Sequence, residues 1–368
     1  MSTTQGPLLA VVGGGTGGHV YPGIAVAHAW LAQVPNGRVI YIGSPTGFEA
    51  KAAPAAGLEF APVEARRLKN AGLAERLKTL TRMPSAIWRG RALLKKLNPD
   101  VVLGVGGYVS GPVVLAAALT GRPCAIAEQN ARPGLTNRIL SRFVRRVYSA
   151  FPEVAERLPA SKIRQLGNPV RAAFREAAKG AKEAGGGHRI LVMGGSQGAR
   201  ALNEKLPPAF AELKADYPDL QIRHQAGRGK AEPVREAYDT AGLKDAVVET
   251  FIDDVASALL DADLVVARAG ATTVAELACV GRPALFVPFP YAADDHQAAN
   301  AASLVDAGAA LMAREETLDQ TRLVTLLRDL LSEPERLKTM AAAARAVARP
   351  SAADDIVADL RALSGEAP

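Results

Sequence analysis

One arrangement, written twice, limits the fold of these 368 residues more than any other feature. Leu8 to Val12 is a short apolar run that breaks into Gly13-Gly14-Gly15-Thr16-Gly17-Gly18-His19, and a helical pattern follows from Ile24 to Ala32. Arg189 to Met193 repeats it, breaking into Gly194-Gly195-Ser196-Gln197-Gly198-Ala199 ahead of a helix from Leu202 to Tyr217. A strand without polar alternation is covered on both faces, which is the situation in a parallel sheet flanked by helices. Further strands are expected at Arg38–Ile42, Asp100–Leu103, Pro123–Ala127, Gln221–Gln225, Ala246–Phe251, Leu264–Ala269 and Ala284–Phe289. The chain therefore reads as α/β, two Rossmann-like parallel-sheet domains facing across a cleft. The expected division is 1–171, 172–345 and a helical tail over 346–368 that packs back on the first domain, with a linker at Ala177–Gly187.

Ligands of open parallel sheets bind at the carboxyl ends of the strands, where each glycine turn lies here. Gly13, Gly15 and Gly18 fit G-x-G-x-x-G, which invites a dinucleotide. That reading needs an acid at the end of the second strand, and Gly43-Ser44-Pro45 stands there, with Glu49 arriving late. NAD(P) is disfavoured and no cofactor is expected. What remains is a glycine turn at a helix N-terminus, suited to a diphosphate. His19 sits at its mouth, either as a hydrogen-bonded structural group or with a chemical role. Leu264 to Asn300 holds a second such place: a buried strand breaks at Gly270, and a helix starts at Thr272 or Thr273. Thr273-Val274-Ala275-Glu276 also fits a capping box, so spacing leaves Glu276 open between cap and ligand. The acidic pairs Asp253-Asp254 and Asp294-Asp295, and Asp261 with Asp263, read as helix ends and solvated loops, and no metal site is expected.

Charge is divided unevenly. Residues 1–171 hold 22 Lys/Arg against 8 Asp/Glu, or +14; the remainder holds 22 against 29, or −7, and the sum is the chain's +7. The excess concentrates at Arg66–Lys96, with ten basic residues and one acid, interleaved with Leu73, Leu77, Leu80, Pro84, Ile87 and Trp88. This is either an amphipathic helix pair with a solvated basic face or a surface for anionic lipid. Val101–Gly121 carries no charge, but six Gly or Pro residues make it a strand, loop and helix rather than a membrane span. Cys124 and Cys279 read as buried thiols in a reducing compartment, and Met1–Pro7 lacks the basic start of a signal peptide.

Six motifs in order carry a family resemblance: Gly13 to Pro22, Gly106-Gly107-Tyr108-Val109-Ser110-Gly111-Pro112, Glu128-Gln129-Asn130, Gly167-Asn168-Pro169-Val170-Arg171, Gly194 to Ala199, and Asp295-His296-Gln297 with Asn300. They resemble the MurG family, the N-acetylglucosaminyltransferases that convert lipid I to lipid II in peptidoglycan synthesis. The resemblance implies a GT-B fold and an inverting transfer from UDP-N-acetylglucosamine. It implies that Ser196 holds a donor phosphate oxygen with help from Arg171, and that the backbone of Ile252 meets uracil. Ala271, Thr272 and Thr273 would take phosphate, Glu276 the ribose, and Gln297 and Asn300 the sugar hydroxyls. Thr16, Gly17, Gly18 and Asn130 would complete donor binding. Gly14, Gly15, Gly106, Gly107, Tyr108 and Ser110 are candidates for the lipid acceptor. His19 is the candidate base, with Tyr108 and Glu128 as fallbacks; Ala127 stands where the family often has His, so no base is expected at that position. Ala269 likewise replaces a frequent Ser. Implied partners are UDP-N-acetylglucosamine, lipid I, the cytoplasmic face of the inner membrane and other cell-wall synthesis proteins, with no nucleic acid. A nucleotide-sugar epimerase and a nucleotide-binding scaffold without chemistry share the same build.

Overall fold

The computed structural model describes residues 6–64, 73–180 and 186–365, and gives the helical backbone without the side chains over 73–82. The chain forms two compact units, residues 1–171 with 349–368, and residues 172–348.

Unit 1 holds a parallel sheet in the order β3-β2-β1-β4-β5-β6-β7. The strands are β1 (Leu8–Gly13), β2 (Arg38–Gly43), β3 (Glu59–Pro62), β4 (Val101–Gly106), β5 (Cys124–Glu128), β6 (Arg146–Ser149) and β7 (Ile163–Gln165). Helices α1 (Gly17–Gln33), α2 (Glu49–Ala55), α3 (Leu73–Leu97), α4 (Ser110–Leu119) and α5 (Leu135–Leu140) follow its strands. Side chains alternate across a strand, and β1 shows the consequence. Leu9 and Val11 enter a core with α1, while Leu8, Ala10 and Val12 enter another with α4 and Leu94 of α3.

Unit 2 repeats the plan in the order β10-β9-β8-β11-β12-β13. After α6 (Ala172–Lys179) come β8 (Arg189–Met193), α7 (Arg200–Asp216), β9 (Gln221–Gln225), α8 (Ala231–Thr240) and β10 (Val247–Glu249). Then follow α9 (Val255–Asp261), β11 (Leu264–Ala267), α10 (Ala271–Val280), β12 (Ala284–Phe286), α11 (His296–Asp306), β13 (Ala310–Met312), α12 (Gln320–Leu331) and α13 (Pro334–Val347). In each unit the strand order reverses beside the first strand, so the glycine turns after β1, β4, β8 and β11 sit at the two switch points.

The last helix, α14 (Ala352–Ser364), belongs to unit 1 and packs on α1. Ile356, Val357 and Leu360 are buried there, each contributing about 2 kcal/mol. Tyr148 Oη donates to Asp359 Oδ2 at 2.8 Å, and burial beside that carboxylate pushes the phenol far above its usual range.

Several expectations change. Helix α1 begins at Gly17, well before Ile24, and α4 at Ser110 rather than Val113. Pro112 falls in the first turn of α4, where no N–H is required; Pro22 lies further inside α1 and is nonetheless carried within it. The expected linker is helical through Lys179, because Phe174 is buried among good helix formers; residues 181–185 lie outside the described set. Among the described residues no helix is long and apolar enough to cross a membrane. Of the basic stretch, residues 66–72 lie outside the described set. Within its described part Ile87 packs inward and Trp88 is 71% exposed.

Candidate active site

In unit 2 the expected residues converge at the carboxyl ends of β8, β10, β11 and β12. The turn after β8 is held by Gly194 N–H donating to Gln225 O and by left-handed glycines at 195 and 198. A Cβ on Gly198 would lie 2.1 Å from Ala226 O, so only glycine lets the two loops touch. Ser196 is exposed at the tip, and its carbonyl accepts from Arg228 N at 3.3 Å. Ile252 is buried just beyond β10. Helix α10 has Gly270 as its N-cap and Ala271 as its first residue. Thr273 is therefore the third helical residue and Glu276 the sixth, so these two form no capping box. The S/T-x-x-E spacing was real, but the helix starts three residues earlier than that motif requires. Ala271, Thr272 and Thr273 instead form the first turn, whose amides lack helical carbonyl partners. Glu276 is buried one turn further on.

The loop between β12 and α11 brings in the last two. Gln297 Oε1 accepts from Phe289 N at 2.9 Å, and buried Asn300 donates through Nδ2 to Ala269 O at 3.2 Å. Arg268 was not singled out by its sequence, yet it pins this loop. Its guanidinium donates to Val287 O and Pro288 O, pairs with Glu315 and lies 5.6 Å from the Phe289 ring centre. A lone arginine ending a buried strand was the available signal.

The acidic pairs divide. Asp254 caps α9 through Ser257, and Asp295 pairs with Arg314 through both oxygens. Asp263 is not solvated: it is fully buried and accepts from Arg189 N, Nε and Nη2. Its partner is 74 residues away, beyond the reach of local pattern. Among the described residues no three His, Cys, Asp or Glu side chains gather as metal ligands.

In unit 1 the turns after β1 and β4 abut. Gly14 N–H donates to Gly106 O at 3.2 Å, and a Cβ on Gly107 would lie 2.2 Å from Gly14 O. Thr16, at the N-cap of α1, and Gly18 are exposed, while Gly17 and Tyr108 are half-buried. His19 rests against Gly106, where a Cβ would lie 2.8 Å from its Nδ1. Its Nδ1 is 3.1 Å from Gln129 Oε1, and Gln129 Nε2 donates to Val105 O at 3.2 Å. The Gln129 amide is thereby oriented oxygen-first, which assigns the proton to His19 Nδ1 and leaves Nε2 with a lone pair. Arg171 lies with its guanidinium 4.6 Å over the Tyr21 ring. Glu49, set aside as too late for a ribose, points back to the turn: its Oε2 accepts from Gly15 N at 2.9 Å.

Two candidates of this unit are corrected. Ser110 is fully buried against Gly104, with its hydroxyl unpaired among the described residues, so it faces the core and not an acceptor. Glu128 is buried and accepts from Asn130 N and Nδ2, Gly134 N and Asn137 Nδ2. Four donors occupy both oxygens, so it holds the loop after β5 together and is unsuited to proton transfer. Half-buried Asn130 is fixed by it.

Comparison with known proteins gives a consistent picture. The sequence matches the glycosyltransferase family 28 N-terminal domain over residues 9–149 and the family 28 C-terminal domain over residues 189–356. It is 46% identical over 348 residues to the UDP-N-acetylglucosamine–N-acetylmuramyl-(pentapeptide) pyrophosphoryl-undecaprenol N-acetylglucosamine transferase of Anaeromyxobacter sp. (strain K), covering 95% of this chain and 91% of that one. The same-named protein of Halorhodospira halophila is 46% identical over 351 residues, covering 95% and 96%. The fold is similar to the crystal structure of Acinetobacter baumannii MurG, with a TM-score of 0.77 and 34% identity over 97% of this chain and 99% of that one. A UDP-N-acetylglucosamine 2-epimerase from Listeria monocytogenes, described as putative, has a TM-score of 0.73 at 15% identity, covering 98% and 97%, a likeness of fold alone.

Proposed function

The chain belongs to glycosyltransferase family 28, and from that premise we propose that it moves N-acetylglucosamine from UDP-N-acetylglucosamine to the 4-hydroxyl of undecaprenyl-diphospho-N-acetylmuramoyl-pentapeptide. The observation that carries this is 46% identity, nearly end to end, to relatives that bear that activity in their names. The relatives' activity accounts for a donor and a lipid-linked acceptor; the site residues account for the chemistry.

The acceptor hydroxyl attacks the anomeric carbon, the bond to the diphosphate breaks, and the configuration inverts. His19 Nε2 takes the hydroxyl proton, since its Nδ1 is committed to Gln129. The departing UDP carries the new negative charge. Ser196, Arg171 and the first-turn amides of Ala271, Thr272 and Thr273 answer it. Glu276 takes the ribose hydroxyls, the Ile252 backbone the uracil, and Gln297 and Asn300 the sugar. Family pattern assigns Thr16, Gly17, Gly18 and Asn130 to the donor as well. The scheme asks for no metal. Gly14, Gly15, Gly106, Gly107 and Tyr108 remain for the acceptor.

A peripheral membrane contact fits the same unit. Leu135 and Ile139 on α5 and Phe143 in the turn after it are 70%, 45% and 49% exposed, interleaved with Arg138, Arg142 and Arg145. Together with Trp88 they suit an anionic inner leaflet and a lipid-linked substrate, which an epimerase does not need. Product analysis separates the readings. Radiolabelled sugar passing into a butanol-extractable lipid supports the transferase; label emerging as an isomeric free nucleotide sugar sinks it.

A further inference from the structure

The first glycine turn already holds an anion, and it is the protein's own. Glu49, the first residue of α2, is fully buried. Its Oε2 accepts from Gly15 N and its Oε1 from Ser44 N, both at 2.9 Å. The carboxylate thus ties the turn after β1 to the turn after β2. Glycines wall it in: a Cβ on Gly14, Gly43 or Gly47 would come within 2.0, 2.3 and 2.3 Å of Glu49 atoms. Its charge also helps burial raise the neighbouring Tyr41 phenol above its ordinary range.

In the dinucleotide fingerprint the second glycine lets the backbone approach a pyrophosphate. Gly15 is that glycine, and its N–H is given to Glu49. We propose that Glu49 is a built-in anion that fills the phosphate seat of the first glycine turn, keeps a pyrophosphate off the Gly15 amide, and fixes the turn that presents His19. It acts as a positioning residue for the acceptor half of the reaction. The G-x-G-x-x-G spacing and the missing ribose acid are then explained together: the glycines make room for a side chain, not for a cofactor.

The inference rests on the transferase reading, and the full-length protein tests the two separately. Isothermal calorimetry with UDP reports the donor half. The unaltered protein should bind one UDP, and Glu49→Gln should bind it within about twofold, because the partners of Glu49 are Gly15 and Ser44 whereas uracil, ribose and diphosphate fall to Ile252, Glu276, Ser196 and the first turn of α10 in the transferase reading, and sites without shared partners behave independently. Turnover with saturating donor reports the acceptor half. Glu49→Gln presents an amide N–H₂ to one of two N–H donors, and kcat/KM for the lipid acceptor should fall about 100-fold, the scale of a small misplacement of reacting groups. Glu49→Ala leaves both amides facing a cavity, so sodium formate should restore turnover where neutral formamide does not. Loss of packing alone would respond to both additives alike. Near-parental turnover in Glu49→Gln, equal rescue by formamide, or a stoichiometry of two UDP overturns the proposal. Failure of the unaltered protein to bind UDP overturns the transferase reading instead.

Discussion

Acid should weaken unit 2 through one buried imidazole. His224, on β9, is fully buried between α7 and α8. Asn203 Nδ2 donates to Ala226 O at 3.0 Å, so Asn203 Oδ1 is left to accept from His224 Nε2 at 3.1 Å. Nδ1 then accepts from Tyr238 Oη at 2.9 Å. The ring is satisfied when neutral, and burial pushes its pKa down from 6.5 to about 3. The folded pKa lies below the unfolded one, so between these values the unfolded chain binds the extra proton. The stability is complete above pH 6.5 and is lost as pH falls toward 3. At 1.36 kcal/mol per pKa unit the loss is about 2 kcal/mol by pH 5 and about 5 in all. His224→Phe removes the titration. It lowers stability at pH 7, because the partners of the ring lose about 1–3 kcal/mol each, but its stability should depend less on pH. Urea unfolding at pH 7 and pH 5, followed by far-UV circular dichroism, should show the parent losing about 2 kcal/mol more than the variant, since carboxylate titrations common to both cancel. Both tryptophans, Trp30 and Trp88, lie in unit 1, so their fluorescence should not report this difference. Equal losses within about 0.5 kcal/mol, the usual error of additivity, would refute the reasoning.

Other substitutions test the site. His19→Ala should lower kcat about 10²–10⁴-fold with donor affinity kept, the range of general-base catalysis; near-normal turnover at saturating substrates removes His19 as the base. Gln129→Met, which frees the His19 tautomer, should lower kcat about tenfold or more while the donor KM stays put, because a base must be aimed as well as present. Gly198→Ala meets both a left-handed φ of 70° and the Ala226 carbonyl. It should weaken UDP binding about tenfold or more, since strain of about 1–3 kcal/mol falls on the turn that carries Ser196. Exchanging Leu135, Ile139 and Phe143 together for Asn should abolish cosedimentation with anionic vesicles while leaving UDP binding intact; retained cosedimentation would remove this face as the lipid contact.

The architecture was open to reading because its signals are local. An apolar run that stops at glycine, Leu8 to Val12 and Ile190 to Met193, marks β1 and β8, and β9 runs from Gln221 to Gln225 as expected. What failed were inferences that needed a partner. Asp263 looked like a solvated helix end until Arg189 closed on it. Glu128 looked free for chemistry until the loop after β5 folded over it. Ser110 sits in a motif of accessible glycines, but helix α4 starts at Ser110 itself and turns the hydroxyl into the core. The capping box failed for a related reason: Thr273 and Glu276 have the right spacing, and only the position of Gly270 decides whether that spacing matters.

The two glycine turns bring out the same lesson in a sharper form, because equal motifs are put to unequal use. A run of glycines reports that something comes close to the backbone, and does not report what. After β1 the approaching group is Glu49, 34 residues from Gly15 in sequence and invisible to a motif. After β8 it is the carbonyl of Ala226, and the turn's tip with Gly195 and Ser196 stays exposed; among the described residues no carboxylate accepts from its amides. One turn is thus filled and the other open. A chain with two Rossmann-like units then needs only one of these turns to seat the nucleotide's diphosphate, and the turn left for it is the one the protein has not closed with its own charge.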